Sequence, residues 1–476
     1  MAVPRILTLA LSCAAQAAWA SPASDPTAGR AVFTGATMSH ATSIVLNPAA
    51  LGPGLVNEAY VAITGVLEQL HADLQQLELS ADGTTARLVP GPRVRDLELA
   101  PGAMLAFTYH LAGFTIGAEA RTIPRETFPD HQPAFRYHVS GGGERDWLAS
   151  VGASYKVTGE LYFGASLSHQ NTYLRLQYAR DAALDSDQGL ASPCSTGPCG
   201  LGNPEATQLW DVDVRSRLLS IANLRVNVGV LYEIARDVWL GVAYHTPPGF
   251  GVQSELGGHV TITPAPRDDP DGTLLRYASV VDVQLPASAD AELRVRLPLF
   301  LELHLGGRWE DLSRMQAYDV RAFGSTLARN QIPEWTERPR GMRDSFAGWA
   351  GVEQVDLGQA WVFGARAGFE TAAVSPKRTS PLTVAPTSFT LDLGAQLRIS
   401  RGVVAQLSYG LAYFPTVNVQ DSEFDPRSRV ACAAASFDYT RAECEAVRDG
   451  YAIATAAGNY ERFQHAMRIG LRYDLP

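Results

Sequence analysis

The chain is nearly devoid of lysine. Of 39 basic residues only Lys156 and Lys377 are lysines, and the rest are arginine. Against 49 acidic residues this leaves a net charge of −10, which argues against a nucleic-acid partner. Long apolar runs are missing too. Past the leader no stretch of about 18 apolar residues occurs, so no transmembrane helix is expected. No nucleophile elbow, zinc-protease pair, phosphate loop or dinucleotide fingerprint appears, so no enzyme activity is expected. Cysteine is scarce, with five in 476 residues. Cys13 falls in the leader. Cys194 and Cys199, and Cys432 and Cys444, form two close pairs that read as local disulfides in an exported chain. The ten histidines are scattered and none lies close to either pair, so neither a metal nor a cofactor is expected.

Residues 1–20 have the form of a secretory signal peptide: Arg5, an apolar run from Ile6 to Ala18, and an A-x-A-like site at Ala18-Trp19-Ala20. Beyond it the chain alternates with period two. Met467, Ile469, Leu471, Tyr473 and Leu475 make one face, and Arg468, Gly470, Arg472 and Asp474 the other. Phe389, Leu391, Leu393, Ala395, Leu397 and Ile399 oppose Thr390, Asp392, Gly394, Gln396, Arg398 and Ser400 in the same way. Fourteen strands are expected, at 57–79, 99–109, 114–122, 147–155, 161–178, 218–234, 239–249, 279–294, 299–322, 345–355, 361–370, 388–399, 403–414 and 464–475. Long and tight connections take turns between them. A soluble sandwich gives no reason for that alternation. A membrane barrel does, with short periplasmic turns, long outer loops and both termini periplasmic. The expected fold is therefore all-β: a 14-stranded antiparallel barrel over 57–476 in the outer membrane.

Such a barrel has a lumen too wide for side chains to fill. Residues 21–56 precede the first strand, carry little charge and are punctuated by Gly35, Pro48, Gly52, Pro53 and Gly54. They are expected to fold back into the lumen as a compact plug. The stretch "GRAVFTGATMSHATSIVLNPAAL" (29–51) resembles the hatch of the FadL/TodX-type long-chain fatty-acid transporter family. Further segments resemble that family in order: "GVAYHTPPG" (241–249), "LPASADAELRVRL" (285–297), "GGRWEDLSRMQ" (306–316), "ARAGFETAAVSP" (365–376) and "LDLGAQLRISRGVVAQLSYGLAYF" (391–414).

The resemblance implies capture of a hydrophobic small molecule by outer loops, an internal pocket, and sideways release into the membrane at a kinked third strand. It places Gly29, Arg30, Phe33, Asn47, Pro48 and Ala49 along the hatch and substrate path. The implied partners are the hydrophobic ligand, outer-membrane lipid and lipopolysaccharide, with the chain acting as a monomer. The chain departs from the family at its last residues, Tyr473-Asp474-Leu475-Pro476, where an aromatic end is usual. The competing reading is a general diffusion porin, which needs an open lumen and no plug.

Overall fold

Alternation decides which way each residue of the wall points, and the wall is inside out by the standards of a soluble protein. Val61, Ile63, Leu391, Leu393, Met467, Ile469 and Leu471 are exposed on its outer face. Their strand neighbours Tyr60, Thr64, Thr390, Asp392, Ala466 and Arg468 are buried on the inner face. A belt of exposed aliphatic and aromatic side chains around a polar interior is the pattern of a barrel whose outer surface meets lipid.

The computed structural model describes residues 31–475 apart from 55, 80–85, 130–131, 182–210, 253, 267–269, 328–332, 435–437, 439, 443 and 445–452. These residues form eighteen strands in one antiparallel sheet. They are β1 (Asn57–Leu79), β2 (Ala86–Leu111), β3 (Phe114–Phe128), β4 (Gly141–Lys156), β5 (Leu161–Asp181) and β6 (Asp211–Ala235). Next come β7 (Val238–His245), β8 (Ser254–Thr263), β9 (Leu275–Val283), β10 (Ser288–Leu297), β11 (Leu301–Glu310) and β12 (Ala317–Phe323). The last are β13 (Trp335–Pro339), β14 (Ser345–Gln354), β15 (Trp361–Glu370), β16 (Ser388–Ser400), β17 (Val403–Val419) and β18 (Gly458–Leu475).

The wall runs from β1 to β7 in sequence, then through β10, β11 and β14 to β18. It closes where β18 pairs with β1 from Asn57↔Leu475 to Leu74↔Gly458. Closure satisfies the backbone groups that an open edge would leave bare in lipid. The tight turns between β2–β3, β4–β5, β6–β7, β10–β11, β14–β15 and β16–β17 gather at one end. At the other end β8 pairs with the upper part of β6, and β9, β12 and β13 continue outward from it.

That extension corrects the expected strand boundaries. The alternation predicts one strand over 279–294 and another over 299–322. Each divides, the first into β9 and β10 around Pro286 and the second into β11 and β12 around a 3-10 turn at Leu312–Arg314. Proline donates no N–H to a ladder. The alternation of β9 and β12 is that of a wall strand, so period alone could not assign them to the extension. The first long connection, expected over 80–98, is instead mostly strand. Above Ala103 β2 pairs with β1 alone, so Pro90, Pro92 and Pro101 sit in a strand with one unladdered edge.

The lumen changes character along its length. Toward the long-loop end a large apolar cluster includes Phe128, Leu174, Leu176, Leu219, Leu256, Ile262, Val281 and Tyr318. Toward the tight-turn end the buried side chains are largely charged or polar.

Candidate functional site

Residues 31–54 lie against the polar part of the inner wall. Their backbone turns rather than runs. Thr34 Oγ1 accepts from Ala31 N at 2.9 Å and donates to Ala31 O at 2.7 Å. The short helix α1 (Ser43–Leu46) is wholly buried. It ends at Asn47, whose backbone is extended, and Pro48 then starts a 3-10 turn, Pro48–Leu51. Phe33 holds a left-handed backbone, φ 69°. That conformation costs a bulky residue about 1 kcal/mol or more and persists only where surroundings fix it.

The wall fixes it by shape and by charge. Glycines on the inner face leave room for the segment's backbone. A Cβ at Gly164 would overlap the Pro48–Ala49 peptide, one at Gly229 the Asn47 Oδ1, and one at Gly241 the Ala36 carbonyl. Gly364 and its register partner Gly394 would likewise meet Val32. Three carboxylates from three strands take backbone N–H groups of the segment. Phe33 N donates to Glu353 Oε1 at 3.1 Å, Thr37 N to Glu292 Oε1 at 3.2 Å and Ala41 N to Glu58 Oε1 at 3.2 Å. Charge-assisted bonds of this kind are about twice as strong as neutral ones.

Asn47 is the central tie. Its Nδ2 donates to Ala36 O at 2.6 Å and to Val230 O on β6 at 3.2 Å, while its Oδ1 accepts from Ala49 N at 3.1 Å. Ser154 Oγ adds a bond to Ala49 O at 3.0 Å. Behind the segment the carboxylates are themselves compensated. Arg366 Nε donates to Glu353 Oε1 at 2.7 Å, and His304 lies 3.6 Å from Glu292 and 3.8 Å from Glu353. A neighbouring network joins Asn227, His245, Asp290, Arg308 and Glu310. Removing one member of such a buried pair strands the other charge, at about 3–5 kcal/mol. A cavity of about 30 Å³ lies between Thr34, Ala36 and Leu46 on one side and Trp349, Arg366 and Asp392 on the other.

Among the described residues the wall has a seam between β2 and β3. Pairing of β2 with β3 ends at Ala103↔Thr122, although both strands continue. Above it β3 pairs with β4 alone, and its register slips between Pro124 and Glu126. Gln132 Nε2 crosses the seam to Arg95 O at 3.3 Å and Asp96 Oδ1 at 3.2 Å.

No family model and no curated protein matches the chain. Solved structures do. A FadL homologue of Pseudomonas aeruginosa aligns over 96% of this chain and 100% of its own, with TM-score 0.71 and 13% identity. The toluene transporter TodX of Pseudomonas putida aligns over 92% and 94%, with TM-score 0.61 and 13% identity. The toluene transporter TbuX of Ralstonia pickettii aligns over 94% and 98%, with TM-score 0.58 and 17% identity.

The chain has the FadL-type fold.

Within this FadL-type barrel the residues named from the sequence fall as follows. Phe33, Asn47, Pro48 and Ala49 are all buried against the inner wall, Phe33 by Val362, Asn47 by Gly229, and Pro48 and Ala49 by Gly164. Gly29 and Arg30 lie outside the described residues, as do Cys194 and Cys199. Cys432 and Cys444 form a disulfide, with Cα atoms 4.6 Å apart. Cys432 lies on helix α2 (Arg427–Ala434). His304 is fully buried among Glu292, Glu302 and Glu353. Sequence reasoning did not single out Glu58, Glu292 or Glu353. The available signal was an acid on the inward phase of an alternating strand.

Proposed function

We propose that the chain is an outer-membrane transporter of hydrophobic small molecules. In this reading residues 1–20 are a signal peptide, 21–56 a plug, and 57–476 a monomeric fourteen-stranded barrel with both termini periplasmic. The observation that carries it is the division of the lumen. A cluster of apolar side chains at the long-loop end stands over a polar lower part occupied by residues 31–54, which glycines seat and Glu58, Glu292 and Glu353 tether. An apolar molecule entering from the long loops would partition among these apolar side chains, because burial of apolar surface is favourable at about 25 cal/mol per Å². The plug would stop it from continuing straight down.

The unladdered stretch between β2 and β3 supports sideways release on the third strand. Lipid is the favourable destination for such a cargo. The two toluene transporters among the similar structures favour a monoaromatic hydrocarbon, and the resemblance of residues 29–51 to the family's hatch favours a long-chain fatty acid. The test is uptake by cells lacking their own channels of this kind. Cells expressing the chain should accumulate labelled oleate or toluene faster than cells with an unrelated barrel of equal abundance. Deletion of 25–50 should abolish the difference and admit small hydrophilic antibiotics. Equal hydrophobic uptake with and without the chain rejects the reading. Hydrophilic leakage through the intact chain would favour a diffusion porin.

A further inference from the structure

Away from the glycine seat, the inner wall of β17, β18 and β1 carries a row of polar side chains. Ser408, Arg468 and Thr64 are register partners across these three strands. Gln406 lies opposite Gly470 on β18, and the Tyr60 hydroxyl sits over the same glycine, where a Cβ would meet it. The Arg468 guanidinium is 5.9 Å from the Tyr60 ring centroid. All five side chains are buried, and Arg468 is 1% exposed. Residues 31–54 close the front of the row: the His40 ring packs edge-on to Tyr60, centroids 4.6 Å apart, and Ala41 clusters with it.

The chemistry of the row is one-sided. Among the described residues, Nε and Nη1 of Arg468, the hydroxyls of Tyr60, Thr64 and Ser408, and both amide atoms of Gln406 have no hydrogen-bond partner. Three other buried arginines of the lumen are each matched by a carboxylate: Arg121 by Glu119, Arg308 by Asp290 and Glu310, and Arg366 by Glu353. Arg468 has no such carboxylate among the described residues. Glu58, two positions before Tyr60, is turned to the Ala41 N–H at 3.2 Å and lies 3.7 Å from His40. Asp474 lies 3.2 Å from Arg472. A guanidinium cannot shed its proton to escape burial, and a buried charge without a partner is among the most costly features a fold can carry.

We propose that this row is a binding site for a small oxyanion, of the carboxylate or phosphate class. The Arg468 fork supplies charge and paired donors, and Tyr60, Thr64, Ser408 and Gln406 supply neutral donors around it. The same chemistry is offered by a free anion and by the acidic head of an amphiphile. The site does not depend on the transport reading, since it needs only the assembled barrel.

The experiment is equilibrium dialysis of the full-length barrel in neutral detergent against labelled phosphate, acetate and octanoate, with octanol as an uncharged competitor. Heat-modifiable gel mobility verifies assembly of every variant. The expected result is one oxyanion per barrel, not displaced by octanol. Binding should weaken tenfold or more in Arg468→Gln and severalfold in Ser408→Ala and Thr64→Val. Octanoate binding more tightly than acetate would assign the head of an amphiphile, and phosphate or acetate binding at least as tightly would assign a free anion. Absence of binding to the native chain at millimolar anion, or unchanged affinity in Arg468→Gln, overturns the proposal. If Arg468→Gln does not assemble, unchanged affinity in the Ser408→Ala, Thr64→Val double variant overturns it instead.

Discussion

Asn47→Ala removes three hydrogen bonds from a side chain with no solvent exposure: two donated, to Ala36 O and Val230 O, and one accepted from Ala49 N. Each is worth about 1 kcal/mol net, and a stranded buried partner costs more than the bond itself contributed. Val230 O keeps a place in the β6 ladder, whereas Ala36 O and Ala49 N belong to the turn-rich segment. The folded, seated state of the segment should therefore be weakened by about 3 kcal/mol, on the order of a hundredfold, with two of the lost bonds inside the segment and one tying it to β6. None of this touches the ladders of β5, β6 and β7, so the barrel should assemble normally. The assay is limited proteolysis of residues 31–54 in the folded barrel, together with hydrophobic uptake and small-antibiotic sensitivity in the same cells. The variant should be cleaved faster, take up less and leak more. Asn47→Asp is the sharper probe. It keeps the acceptor for Ala49 N but turns a carboxylate toward two carbonyl oxygens, so it should be worse than alanine. Native cleavage and leakage in both variants would refute the assignment of Asn47 as the anchor.

Charge on the two faces of the wall should be tolerated unequally. Leu393→Arg, at a position 51% exposed on the outer face, should cost about 2–4 kcal/mol if it lies mid-membrane, while a change at inward Gln396 should leave heat-modifiable mobility intact. The Cys432–Cys444 bridge closes a loop with a sequence separation of 12, so its removal should cost roughly 2–3 kcal/mol. Non-reducing peptide mapping should recover that pair, and Cys194–Cys199 as the second; a cross-pair would contradict both. His138, in the loop between β3 and β4, packs edge-on to Phe424, with Nε2 2.9 Å from Ala454 O. Burial, aided by Arg338, pushes it down from 6.5 to about 3. The folded loop thus holds neutral histidine, and its contact should be at full strength above pH 6.5. It should weaken by about 1.4 kcal/mol per unit as pH falls toward 3. Hydrogen exchange of residues 133–139, corrected for intrinsic rate, should show protection falling between pH 7 and 4, and His138→Phe should abolish the dependence.

The wall was legible in the amino-acid pattern. Period-two alternation with tight turns at every second connection requires a closed sheet with an apolar outside, because unpaired backbone cannot sit in lipid. The pattern also marked the segment ending in Asn47-Pro48-Ala49 as low in charge and rich in turn-forming residues. Local pairing of Cys432 with Cys444 followed from proximity along the chain. Which strands close the wall became visible only in the folded sheet. β9 and β12 alternate as wall strands do, yet pair in the extension, because pairing partners are fixed by long-range register that one strand's pattern does not contain. The folded sheet alone also shows the tethers. Glu58, Glu292 and Glu353 lie far apart in sequence and share nothing local but an inward phase. They become a single cradle because β1, β10 and β14 turn the same face to one lumen, and the N-terminal segment passes before each in turn.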